Sequence, residues 1–79
     1  MKTSRNGNGY AIVVEKEGRS YGAYVPDLPG CVAVATTPQR VRKLIGEAIT
    51  LHLDDMRSRG QRVPMPSARV EYVKPVRAA

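Results

Sequence analysis

The sequence predicts an α+β domain of order β-β-β-α-β, a mainly antiparallel sheet with one long helix on one face. Three observations carry that prediction. Three short runs in the first half alternate with a period of two, a Thr-Pro step opens a long stretch of helical periodicity, and a last alternating run follows a proline-rich crossing.

The first strand is read in "YAIVVEK", where Tyr10, Ile12 and Val14 share one side of an extended chain and Ala11, Val13 and Glu15 the other. "EGRS" supplies a turn containing Gly18. "SYGAYVP" gives a second strand, with Tyr21, Ala23 and Val25 alternating against Gly22 and Tyr24. These two strands are expected to pair as a hairpin, with Tyr10 and Tyr21 on its packed side.

"VPDLPGC" follows, and its Pro26 and Pro29 exclude a central strand or helix interior because neither can donate an amide proton. Pro29-Gly30 suits the central positions of a type II turn. Asp27 can bond a nearby backbone amide and stiffen the bend. The segment is therefore a rigid corner leading into "CVAVA", a third strand in which Cys31 packs as a small hydrophobe.

Thr37 caps the helix and Pro38 occupies its first position, where a missing donor costs nothing. Val41, Leu44, Ile45, Ala48, Ile49, Leu51, Leu53 and Met56 are assigned to one broad apolar face. Asp55 and Arg59 sit in the favourable spacing of an ion pair, and Gly60 ends the helix near Arg59. "QRVPMPS" is an extended crossing, and "ARVEYVK" is expected to form the fourth strand. Residues 1–9 read as a mobile lead-in, 10–74 as the domain and 75–79 as a tail.

A chain of 79 residues buries only about 60% of the surface its unfolded form exposes, so the core is thin and association with another chain is expected. One Cys and one His supply neither a disulfide nor a structural zinc site, which suits a reducing cytoplasm. No apolar run approaches the roughly 20 residues of a membrane span, and no secretory leader is expected.

Chemistry-bearing groups are few. A Cys31 nucleophile wants a base, and the only histidine, His52, lies on the helix's apolar face, where a half-buried ring is the simpler reading. Asp54 and Asp55 point about 100° apart on a helix and share no site. No residue pattern calls for a metal or cofactor, and no enzyme is expected. The net charge of +6 attracts polyanions, and Arg40, Lys43, Arg57, Arg59 and Arg62 at the helix ends form the candidate nucleic-acid footprint.

Taken together, "YVPDLPGC", "EAITLHLDDM" and "RGQRVPMPS" resemble the HicB-like antitoxin domain of bacterial type II toxin–antitoxin systems. Pro26 to Cys31, Thr37, Glu47-Ala48, Gly60, Pro64, Pro66 and Ser67 match the family pattern. The resemblance implies a partial RNase H-like fold without that enzyme's activity, and a partner, a HicA-like mRNA-cleaving toxin whose active surface the domain occludes. If the corner touches a partner, Asp27 and Leu28 at its tip are the contacts expected, and the domain is expected to assemble as a homodimer or higher oligomer. Ala35-Thr36 and Gln39-Arg40 depart from the family's usual Gly-acid and paired-acid steps, leaving the helix start basic. Many members carry a C-terminal DNA-binding segment; only six residues follow Val73, so direct operator binding is not expected. A small basic RNA- or DNA-binding protein is the alternative.

Overall fold

The computed structural model describes residues 9–77. The expected lead-in of residues 1–9 lies almost wholly outside that range, as do the last two residues of the tail. Three strands, β1 (Val13–Glu17), β2 (Ser20–Tyr24) and β3 (Val32–Ala35), form one antiparallel sheet in the order β1-β2-β3. The helix α1 (Pro38–Ser58) follows. This is the α+β arrangement of antiparallel sheet and single long helix that the sequence predicts.

Register fixes the two faces of the sheet. Val14 opposes Ala23, which opposes Ala33, and Lys16 opposes Tyr21, which opposes Ala35. These residues point to one side, and Ala23 is buried there. Val13, Tyr24 and Val32 form the first row of the other side, and Glu15, Gly22 and Val34 the second. The core joins Ala23, Val25, Leu28 and Cys31 to Val41 and Ile45 of α1, with Tyr10, Ile12, Tyr21, Ile49, Leu53 and Met56 packed around it.

The helix ends as its local chemistry dictates. The amide of Arg40 donates to Thr37 Oγ1 at 3.0 Å, and Pro38 takes the first turn. At the other end Gly60 adopts φ 72°, its amide reaching the Arg57 carbonyl and that of Gln61 the Met56 carbonyl, a Schellman motif. Two expectations are corrected along α1. Leu51 is 71% exposed and Leu44 also faces outward. Leu51 stands six residues beyond Ile45, about 120° around the helix, which turns it off the packed face.

The fourth strand is absent among the described residues. Residues 61–77 run without regular structure, and the alternating segment expected to close the sheet pairs with no strand. Alternation reports an extended chain with two distinct sides; it does not supply a neighbour.

Candidate functional site

The corner between β2 and β3 is built from two successive turns. The Leu28 amide reaches the Val25 carbonyl at 3.0 Å and the Cys31 amide reaches the Leu28 carbonyl at 3.1 Å, while the Val25 amide closes onto the Cys31 carbonyl at 3.2 Å. Pro29 and Gly30 hold the central positions of the second turn, and Gly30 has φ 87°. That is the type II geometry in which a side chain at the third position is strained. Leu28, expected at the tip as a partner contact, is only 1% exposed and belongs to the core. The turns fold its side chain inward beside Val25 and Cys31 rather than outward.

Asp27 is half-buried, and its carboxylate is engaged across the chain. Oδ2 accepts from the amides of Ser67 at 2.9 Å and Ala68 at 3.0 Å, and Oδ1 accepts from the Ser67 hydroxyl at 2.9 Å. The expected local bond within the bend is replaced by a clasp to residues 40 positions away. The Ala68 and Ser67 amides hold the carboxyl below its ordinary range, against a smaller opposing effect of desolvation. A second tie lies close by in sequence: the Tyr10 hydroxyl donates to the Pro64 carbonyl. Together they fasten the crossing segment to the chain ahead of β1 and to the β2–β3 corner.

Two surfaces flank this corner. On the side of the sheet away from α1, Tyr24, Val32 and Val34 are exposed, Val34 by 67%, with Glu15 and Glu17 along the β1 margin. On the helix side α1 packs chiefly along β3 and β2. This leaves a groove of about 620 Å³ beside β1, lined by Tyr10, Ile12 and Val14 on the sheet and by Arg42, Ile45 and Ile49 on the helix.

The basic residues are not gathered into one patch. Arg40 and Lys43 lie at the start of α1 beside Thr36 and Thr37. Arg57 and Arg59 lie at its far end, about 25 Å further along the helix. Arg57 pairs with Asp54 at 3.4 Å and Arg59 with Asp55 at 3.2 Å, all exposed. Arg62 is exposed just past the helix. Cys31 is buried, and burial pushes its thiol upward, away from the reactive thiolate. His52 is half-buried. Among the described residues no three His, Cys, Asp or Glu side chains converge as a metal site would require. No helix among them is long and apolar enough to cross a membrane.

Two features carry only weak sequence signals. Ser67 belongs to the matching Pro-x-Pro-Ser pattern, and a serine after Pro-x-Pro and an acid between two prolines are both suited to fixed backbone bonds. The outer apolar face was legible in the alternation that sets Tyr24 opposite Tyr21, Ala23 and Val25.

Residues 10–76 match the family described as "HicB_like antitoxin of bacterial toxin-antitoxin system". The chain is also similar to the "Uncharacterized 14.9 kDa protein in rep-hol intergenic region" of Haemophilus phage HP1 (strain HP1c1), with 30% identity over 64 residues. That alignment covers 81% of this chain and 48% of the phage protein, so the chain spans about half the length of that relative. No solved structure matches. With nearly the whole of its sheet, corner, helix and crossing segment inside the matched span, the chain belongs to the HicB-like antitoxins of bacterial toxin–antitoxin systems.

Proposed function

We propose that this domain is a non-catalytic antitoxin that binds a HicA-type mRNA-cleaving toxin in the cytoplasm and covers its active surface, itself assembling as a homodimer. The observation that carries the reading is the family match over residues 10–76. The occluding surface is the outer face of the sheet. Leu28 is a core residue and Asp27 is held by Ser67 and Ala68, so the corner offers the toxin little beyond its backbone shape.

The outer face has what such a contact needs. Tyr24, Val32 and Val34 supply apolar area free of the helix, and aromatic anchors dominate the energetics of many interfaces. Glu15 and Glu17 place negative charge beside them on a chain whose net charge is +6. An RNA-cleaving toxin presents positive charge to its substrate, and those two carboxylates are complementary to it locally.

The test is inhibition of RNA cleavage by a HicA-type toxin encoded next to this chain. Stoichiometric, salt-tolerant inhibition is expected, and Tyr24→Asp with Val34→Asp abolishes it while leaving the helical circular dichroism unchanged. Full inhibition by that double variant overturns the choice of surface. Absence of inhibition, together with RNA binding that falls steeply with salt, replaces the antitoxin reading with the basic nucleic-acid one.

A further inference from the structure

The two cations at the start of α1 have company from the hairpin. Tyr21 pairs with Lys16 on one side and with Ala35 on the other, which sets Lys16 two strand spacings, about 10 Å, from the end of β3. Continuing that register by two residues brings the Gly18-Arg19 turn level with Thr36 and Thr37, which lead into the helix. Lys16 lies on the helix side of the sheet, its ammonium 5.9 Å from the centre of the Tyr21 ring, while Glu15 and Glu17 alternate to the outer face. It is the next residue on that side of β1 after Val14, and Arg42 borders the groove with Val14. Lys16, Arg19, Arg40, Arg42 and Lys43 therefore share one end of the molecule, and all five are exposed.

Their charge is left standing. Among the described residues none of the five enters an ion pair, whereas Arg57, Arg59 and Arg69 each meet a carboxylate at 3.2–3.7 Å. The first turn of α1 holds no acid, and the first acid of the helix is Glu47, four residues past Lys43. Like charges set so close repel one another, and the repulsion is relieved when a polyanion covers them.

The surroundings say which polyanion. The depression that Arg40 and Lys43 share is otherwise lined by Thr36, Thr37 and Gln39, with no apolar side chain. A protein partner would need an apolar centre there, whereas nucleic-acid interfaces are more polar and far more positive. The forks of the three arginines match phosphate oxygens with two parallel bonds. On the sheet, Tyr24 stands at the opposite end and Tyr21 is half-buried, so neither ring is placed to stack a base. We infer that these five cations form one surface that binds the phosphodiester backbone of a nucleic-acid strand without reading its bases. The surface shares no residue with the outer sheet face proposed to meet the toxin, so either contact can fail without the other.

Fluorescence anisotropy of the full chain tests it, with a labelled single-stranded RNA and a duplex DNA of mixed sequence titrated at several salt concentrations and no toxin present. On the single strand the log–log salt slope is expected at about −2 to −3.5, as about three to five phosphate contacts require, with little change when the sequence is scrambled. Arg40→Glu with Lys43→Glu is expected to weaken binding at least about tenfold and to flatten the slope by about 1.4. Acids near the start of a helix suit its dipole, so the helical circular dichroism of that variant stays intact. Arg57→Gln with Arg59→Gln, at the paired far end, is expected to keep the affinity within about twofold. Tighter binding of the RNA names RNA as the ligand and tighter binding of the duplex names DNA; either supports the surface. Absence of salt-dependent binding to both overturns the inference. So does affinity that survives in the Glu variant, an equal loss in the Gln variant, or polyglutamate bound as tightly as the nucleic acids at matched charge.

Discussion

At Gly30 and Asp27 single atoms decide whether the corner can form. A Cβ at Gly30 meets open space, so the penalty for substitution there is conformational rather than steric crowding. With φ at 87°, Gly30→Val is expected to destabilise the domain by about 1–3 kcal/mol, measured by urea denaturation. A variant of unchanged stability would show that the turn is not held in this form. Asp27 yields a pH dependence. Its carboxyl is held below the ordinary range in the folded chain, so the clasp contributes stability above the unfolded value of 3.8 and loses it as pH falls through the folded value. Carboxyl NMR should therefore place the Asp27 midpoint below 3.8, and the Ser67 and Ala68 amide signals should shift with it. In Asp27→Asn those amides should no longer follow that titration. Gly30 could be read from the sequence because Pro-Gly chemistry is complete within four residues. The Asp27–Ser67 pair could not, because nothing local marks which of the distant amides a loop carboxylate will find.

The helix is the element whose sequence speaks most plainly. Thr37→Ala removes the acceptor of the Arg40 amide and is expected to cost about 1 kcal/mol in stability, read from the shift in denaturation midpoint. Gly46→Ala works in the opposite sense. The site is exposed with room for a methyl group, and the change should stabilise α1 by about 0.5–1 kcal/mol. Both caps were legible because Thr-Pro and a terminal glycine act through their own backbone neighbours. Leu51 was not, since a broad apolar stripe does not say which of its flanks the sheet covers. The same distinction explains the last alternating run: its period identified an extended segment, but pairing is a property of two elements.

At the scale of the molecule, a core of six buried side chains among the described residues leaves little reserve. Ile45 sits at the meeting of helix, sheet and groove, and Ile45→Ala is expected to cost about 2–5 kcal/mol, enough to leave a large unfolded fraction by circular dichroism at room temperature. Charge is distributed as unevenly as the core is thin: cations gather at both helix ends, while Glu15 and Glu17 lie on the sheet face away from the helix. One consequence of the Asp27 clasp concerns where the chain can be cut. Trypsin should trim readily after exposed Arg69, while Ser67 and Ala68 stay anchored to the body, so that limited digestion leaves a core ending just past the clasp.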